Sequence, residues 1–384
     1  MKGFNQGQSI YCYLFVFVLF WCLYSCVALL FLSDMSDHAF FARQVAGGHQ
    51  AIPGNFLLYL LIIVFSGFSS VALVTKLSLS FLIAFASTYR VYIYVEGIGS
   101  VGNNKNFCVN FLIAMSLLFV FALYNPLADC QYFGKFVPNV WHNSTTIFLF
   151  PFSLLLFNLS IKQISDYQST RLVFLSLLVF LNIAIKPSFF FVWASVYPFF
   201  LLIQYKFSKI FWVNLLPIIV GLVLLIGQYL YIYKFTSSDS GITIDPFSVY
   251  TYGNPFSNVA AFKSSILAMI LSFFFPFMFF VLNIRKVLKN KALLFSYGCL
   301  FVSILIYILL AETGPRNIHG NFYWQVVICV GILFYQTLLS LLEDIRSNKK
   351  QKLYKSRILF IFYLLHVVSG VAYLIKYFVT SDYC

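Results

Sequence analysis

The sequence predicts an all-α polytopic membrane protein with about eleven transmembrane helices. Of its 384 residues, 61% are hydrophobic and only 9% are charged, and long apolar runs recur from the first residues to the last. The run from Ile210 to Tyr233 would extend ~36 Å as a helix at ~1.5 Å per residue, enough to cross a ~30 Å hydrocarbon core. Clusters of lysine and arginine recur between the runs at regular intervals, as expected for a multi-pass chain.

The predicted spans follow the apolar runs in chain order. They are expected near residues 10–33, 77–95, 107–124, 145–161, 171–185, 187–203, 210–233, 264–283, 294–311, 323–341 and 358–379. The first run is longer than the core of a signal peptide, and no small-residue cleavage site follows it, so we expect it to stay as an anchor. Eight cysteines lie mostly inside the runs without CxxC spacing and are predicted to be packing residues.

The basic clusters predict which loops face the cytoplasm. Loops rich in lysine and arginine remain on that side, which places the N-terminus inside and the C-terminus outside. These clusters hold most of the 25 basic residues and include Lys2, Arg90, Lys105, Lys162, Arg171, Lys206, Lys209, 285–291 and 346–357. A basic inner face suits anionic membrane lipids and requires no nucleic acid to explain the net charge of +14.

The segment from Gly54 to Val95 must cross the membrane an odd number of times. The loop before it is predicted outside and the loop with Arg90 and Lys105 inside. We therefore expect a re-entrant or interfacial helix over Asn55 to Gly67 and one crossing over Leu77 to Val95. No linker or internal repeat interrupts the chain, which predicts one integral membrane domain over residues 1–384.

The first candidate site follows span one and contains Asp34, Asp37, His38 and Arg43. Ionisable residues at a membrane edge are costly unless they serve a function, and a carboxylate there can accept a proton or hold a divalent cation. A helix from Ser36 would set Asp37 over the aromatic pair Phe40 and Phe41. The structural alternative is that Asp34 or Asp37 caps the helix, a role that suits Asp34 better.

A second polar loop contains Asp129, Trp141, His142 and Asn143. Trp141 could stack on a sugar, whereas His142 and Asn143 could bond hydroxyls or phosphate oxygens. The alternatives are a Trp at the membrane interface and helix capping by Ser144 or Thr145.

Cations suited to phosphate occur in two later turns. Lys186 lies between two short runs, where it either points inward toward a phosphate or snorkels to the surface. Glu312, Arg316 and His319 lie in an eight-residue loop, where Arg316 could clamp phosphate or pair with Glu312. No P-loop, GxGxxG, HExxH or GxSxG motif is present. These sites, all predicted on the outer face, favour a substrate that brings its own energy through the membrane: a saccharide linked to a polyprenyl phosphate.

The order of these motifs resembles the C-superfamily (GT-C) glycosyltransferases. The resemblance rests on residues 36–43, the Pro-initiated helix 53–59, the polar loop with Asp129 and 141–143, and the turn 185–187. It implies that residues 1–205 form a GT-C-like catalytic module followed by additional spans over 206–384, that Asp37 is the catalytic carboxylate, and that Lys186 lies near the donor phosphate. No paired acids occur at the first site, so no cofactor is predicted and a divalent metal is left open. The compact Phe- and Tyr-rich chain also resembles bacterial O-antigen-type polysaccharide polymerases.

The sequence thus predicts glycosyl transfer from a polyprenyl-linked saccharide at the outer face of a bacterial inner membrane, with Asp37, His38 and Asp34 as catalytic candidates. Membrane lipids and polysaccharide-assembly proteins are the expected partners. The alternative from another class is a flippase for the same lipid-linked saccharide. Carriers often contain inverted repeats and mid-span charges, whereas here no repeat is visible and most ionisable residues fall at span ends on one side, which favours the enzyme.

Overall fold

The computed structural model describes residues 6–31, 33–101, 106–126, 135–232, 241–246, 262–314, 321–347 and 350–381. Most of these described residues are helical. The helices are α1 (Gln6–Leu30), α2 (Asp34–Ala46), α3 (Phe56–Phe65), α4 (Ala72–Ser100), α5 (Phe107–Ser116), α6 (Ser144–Ser165), α7 (Ser169–Ile185), α8 (Ser188–Tyr205), α9 (Lys209–Asn214), α10 (Leu216–Leu230), α11 (Phe262–Ser272), α12 (Phe274–Lys289), α13 (Lys291–Leu309), α14 (Trp324–Arg346) and α15 (Lys350–Thr380).

Eight of the described helical segments are long and apolar enough to cross a membrane. They are Ser9–Leu30, Ala72–Ser100, Ser144–Ser165, Ser188–Tyr205, Lys209–Leu230, Lys291–Leu309, Asn321–Arg346 and Leu353–Thr380. The predicted all-α, multi-pass membrane architecture is confirmed at this level. Shorter apolar helices occupy Phe56–Phe65, Phe107–Phe119 and Ser169–Ile185.

Helix α14 forms the axis of the bundle. In the apolar stretch of this helix 94% of the residues are buried. In that of Lys209–Leu230 only 22% are buried, so most of that segment faces the outside of the bundle. Close approach needs small residues, because lipid gives helices no hydrophobic drive to associate. A Cβ at Gly331 of α14 would lie 2.6 Å from the ring of Phe150, so this glycine lets α6 pack directly on the axis.

Helices α1 and α4 pack side by side in opposite directions. The rings of Tyr13 and Tyr92 lie 5.7 Å apart, and Trp21 donates a hydrogen bond to the carbonyl of Leu77. We call the end of the bundle where α1 ends and α4 begins the site end, and the other the distal end. At the distal end Arg346 of α14 donates to the carbonyl of Ile98 and to Asn110, and Lys286 of α12 pairs with Glu343 and Asp344.

Helix α3 is a short element between α2 and α4. Its ten residues extend about 15 Å, half of a ~30 Å hydrocarbon core. This length agrees with the helix expected over Asn55 to Gly67, and the long helix expected after it is α4.

The helix expected over residues 107–124 ends early, at Ser116, with one 3-10 turn over Leu117–Phe119. The extended chain that follows is bonded to its neighbours: His366 of α15 bonds the carbonyl of Phe121 at 2.6 Å, and Ser369 donates to that of Ala122. Non-helical backbone at membrane depth is tolerated where protein groups satisfy it in this way. A Cβ at Gly370 would lie 1.5 Å from the carbonyl oxygen of Phe119, so only glycine permits this approach.

Two short strands were not predicted from the sequence. Strand β1 (Gly241–Ile244) pairs antiparallel with β2 (Leu310–Thr313), with Gly241 opposite Thr313 and Ile244 opposite Leu310. The predicted span over 294–311 therefore ends at Leu309. The ribbon joins two loops that the sequence presents as unrelated.

Candidate functional site

Helix α2 packs on the site end and sorts its polar residues onto different faces. Met35, Ala39 and Ala42 are buried against the bundle, and Ser36 donates a hydrogen bond to the carbonyl of Ala28 in α1. The helix begins at Asp34, two residues earlier than expected. Asp34 and His38 are one turn apart and share a side, as residues four apart do.

Asp34 is the acid that contacts the rest of the candidate site. Its Oδ1 accepts from the backbone N–H of Ser144 at 3.1 Å and from the Ser144 hydroxyl at 3.4 Å, and its Oδ2 lies 3.6 Å from His38 Nε2. Ser144 is the first residue of α6, so Asp34 satisfies the N-terminus of another helix rather than its own, with a favourable charge–dipole interaction. Burial alone would raise the pKa of Asp34, but His38, His142 and the Ser144 N–H together hold it below its usual value.

Asp37, the predicted catalytic carboxylate, lies on the exposed side of α2. Among the residues the structure describes, none hydrogen-bonds or ion-pairs with its side chain. The three-to-four spacing that placed Asp37 over Phe40 and Phe41 holds, but that face does not meet the polar cluster.

His38 holds Asp34 in position. Its Nδ1 is 2.6 Å from the hydroxyl of Tyr59 in α3, while Nε2 faces Asp34. With Tyr59 donating to Nδ1, the ring proton lies on Nε2, which faces the Asp34 carboxylate at 3.6 Å. Tyr59 was not singled out from the sequence; its one signal is a polar hydroxyl within an apolar run.

Lys186 turns inward from the end of α7. Its Nζ lies 3.2 Å from Thr145 Oγ1, 3.3 Å from Thr146 Oγ1 and 4.6 Å from the centre of the Trp324 ring. Helix α7 ends here because the next residue is Pro187, which disfavours helical geometry at the residue before it. Burial lowers the pKa of Lys186 to about 7, and the charge of Asp34 opposes that shift.

His142 lies just before the N-terminus of α6, the helix that contains Thr145 and Thr146. Its ring meets that of Trp324 edge-on, with centroids 6.4 Å apart. Burial lowers the pKa of His142 to about 4, against the opposing effect of Asp34, so this imidazole is neutral at pH 7. A neutral imidazole can donate from one nitrogen and accept at the other.

Trp141 and Asn143 have structural contacts. Trp141 is 5% exposed and packs between the rings of Tyr24 and Phe119, at centroid distances of 6.4 and 5.8 Å. Asn143 caps α6 by accepting from the backbone N–H of Thr146 at 2.9 Å, so the expected capping residues, Ser144 and Thr145, were wrong by one or two positions.

The other predicted site residues lie apart from Asp34. Arg43, near the end of α2, donates to the carbonyl of Ser70 at 3.5 Å. Glu312 lies in β2 and accepts from Asn321 Nδ2 at 2.6 Å. Asp129, Arg316 and His319 lie outside the described residues.

The candidate site is therefore a polar cluster around the N-terminus of α6, made by Asp34, His38, His142 and Lys186. The first eight residues of α6 are buried, so this terminus begins inside the bundle, while the four side chains of the cluster are partly exposed. It offers a carboxylate that accepts protons, a cation and a neutral imidazole. Within the described ranges, no three His, Cys, Asp or Glu side chains are grouped to hold a metal ion.

Neither protein-family models nor curated proteins give a match for this chain. The candidate site must therefore be interpreted from its own geometry and chemistry.

Proposed function

We propose that this protein is a membrane glycosyltransferase that moves sugar from a polyprenyl-(pyro)phosphate-linked saccharide to a hydroxyl of a growing cell-envelope glycan, as in O-antigen-type chain polymerisation. The observation that carries the proposal is the convergence of Asp34 and Lys186 on the N-terminus of α6. An acid and a cation that lie together in a partly exposed cluster suit a reaction that removes a proton and releases a phosphate.

In the proposed reaction Asp34 replaces Asp37 as the base. The Asp34 carboxylate takes the proton of the acceptor hydroxyl as that oxygen forms a bond to the anomeric carbon of the donor. The bond between this carbon and the phosphate oxygen breaks, and the polyprenyl phosphate leaves with the electron pair. Lys186 stabilises the charge of the leaving phosphate, and neutral His142 donates a hydrogen bond to donor or acceptor oxygens.

We also infer eleven crossings, with the site end facing the periplasm of a bacterial inner membrane. Besides the eight long helical segments, three more connect the two ends: α5 with its 3-10 turn, α7, and α11 with α12. Helix α5 and its 3-10 turn together extend from the level of Asn110, beside Arg346, to Phe119, beside Trp141. The basic residues Lys286, Lys291 and Arg346 lie at the distal end, which supports a cytoplasmic position for that end.

The test compares two isosteric variants of neighbouring acids. Asp34→Asn removes the base and should lower glycosyl transfer by about 10²–10⁴-fold. Asp37→Asn, on the exposed face of the same helix, should stay within a few fold of the unaltered protein. The assay follows chain growth on a purified polyprenyl-pyrophosphate oligosaccharide in detergent, with elution profile as the folding control.

Two results would overturn the proposal. Full transfer by the Asp34→Asn protein would remove Asp34 as the base. Movement of the lipid-linked saccharide between leaflets of proteoliposomes, without chain growth, would identify the flippase that the sequence leaves as the alternative.

A further inference from the structure

An apolar groove opens beside the candidate site, between α3, α7 and α10. Its volume is about 370 Å³, within the ~300–1,000 Å³ typical of small-molecule sites. Its lining residues are hydrophobic or carbon-rich and include Pro53, Phe56, Phe180, Ile183, Val223 and Leu224. Such a lining suits a hydrocarbon.

The two polar side chains in the groove wall bond backbone groups. Gln228 donates to the carbonyl of Ile183 at 3.3 Å, and the Tyr231 hydroxyl donates to the carbonyl of Ile52 at 2.7 Å. These bonds tie α10 to α7 and to the segment before α3. They engage the Tyr231 hydroxyl and one N–H of the Gln228 amide, and the rest of the lining is mainly apolar.

The groove opens to the apolar exterior of the bundle, and its lining residues come close in sequence to residues of the polar cluster. Phe180 on α7 and Val223 on α10 line it and are among the exposed apolar side chains. Towards the site end, Ala184 lines it two residues before Lys186. Phe56 lines it three residues before Tyr59, which bonds His38.

We propose that this groove holds the proximal isoprene units of a polyprenyl phosphate, with the phosphate at the Lys186 turn. The site has the two surfaces that this ligand requires. The groove supplies an apolar surface for the isoprene units, and Lys186 supplies a cation for the phosphate. The choice of a polyprenyl chain rests on the proposed glycosyl transfer. A groove open to the bilayer lets the chain enter sideways while its head stays at the polar cluster.

Gly227 provides a direct test because it lines the groove and an added Cβ would meet nothing within 4 Å. Gly227→Phe should place a ring in the groove from a Cβ that has open space around it, and it replaces a poor helix former by a better one. The matched control is Ile226→Phe, which adds the same ring one residue away at a position that is 60% exposed and does not line the groove.

The experiment uses polyprenyl monophosphate with a photoreactive group in its first isoprene units, mixed with the purified full-length protein in detergent. We expect labelling of α7 and α10 residues in the unaltered protein and in the Ile226→Phe protein, and at least about tenfold less in the Gly227→Phe protein. A second measurement compares donors: Gly227→Phe should impair transfer from a long-chain donor and spare a donor whose chain is too short to enter the groove.

The outcomes separate the groove from the reaction. Equal labelling of the Gly227→Phe and Ile226→Phe proteins would overturn the inference, as would full competition by phospholipid, which would make the groove an ordinary acyl-chain site. Groove labelling with no transfer from any donor would support the inference while contradicting the proposed glycosyltransferase.

Discussion

At the scale of single residues, position within one turn of α2 decides which acid belongs to the candidate site. Asp34 and Asp37 are three residues apart, yet the first bonds Ser144 and pairs with His38, whereas the second is exposed. The sequence placed both acids in the loop that follows span one. The sequence motifs favoured Asp37 as the catalytic carboxylate, because the sequence does not show which acid the start of α6 approaches.

The lowered pKa of Lys186 predicts a pH dependence for donor binding. Its pKa is about 7, so the ammonium is present below pH 7 and is lost as the pH rises through that value. Donor affinity should therefore fall between pH 6 and 8.5. Lys186→Arg should keep its charge over this range and flatten the profile, since guanidinium has a pKa above ~12. Binding of polyprenyl phosphate, measured across this range, provides the readout. A profile that is equally steep in the Arg variant would assign the titration to another group.

At the scale of elements, polar side chains fasten neighbouring helices within the apolar bundle. Asn214 of α9 accepts from Gln163 of α6 at 2.8 Å and from Tyr197 of α8 at 3.4 Å. Ser153 donates to Asn182 of α7, and Trp193 of α8 donates to Ser160. Such bonds fix helix register where lipid supplies no hydrophobic drive.

Asn214→Ala should destabilise the bundle because it leaves Gln163 and Tyr197 without this acceptor. We expect a loss of about 1–2 kcal/mol, seen as a fall of a few degrees in the melting temperature of the detergent-solubilised protein. The control is Ser195→Ala on the exposed side of α8, where the hydroxyl bonds only the carbonyl of Phe191 in its own helix. If both variants melt together, the Asn214 bonds contribute no net stability.

At the scale of the whole molecule, the distribution of charge and the direction of the helices give the same assignment of the two ends of the bundle. Arg346, Lys286 and Lys291 lie at the distal end, whereas Asp34, His142 and Lys186 gather at the site end. Helix α15 ends with Tyr377 and Phe378 beside Phe31, the residue that follows α1, so it finishes at the site end.

This arrangement predicts that the two termini lie on opposite sides of the membrane. At the N-terminus, a fused reporter that works only in the cytoplasm should be active. At the C-terminus, a fused reporter that works only in the periplasm should be active. Cysteines introduced at Gly48 and Ser69, before and after α3, should react with an impermeant reagent from one side, with Ser100→Cys reacting from the other. Labelling of Gly48 and Ser69 from opposite sides would make α3 a spanning helix and change the count of eleven.

Much of the fold could be predicted because composition and apolar run length determine helices in a membrane. The long helices lie close to their predicted ranges. The short α3 matches the segment that, from the charge pattern, was not expected to cross the membrane. Helix breaks were harder to predict. The chain leaves the helix after Phe119 because His366 and Ser369, almost 250 residues later, satisfy its carbonyls.

The sequence by itself determined a multi-pass helical membrane protein, because a helix satisfies its own backbone groups within each long apolar run. It also identified Asp34, His38, His142 and Lys186 as unusual, since charge is rare in this chain. Only the tertiary structure decided which of the candidates meet. The N-terminus of α6 lies inside the bundle, and it gathers Asp34 from α2 and Lys186 from α7 while Asp37 remains outside. Helix packing sets these distances, and neither spacing nor composition encodes them.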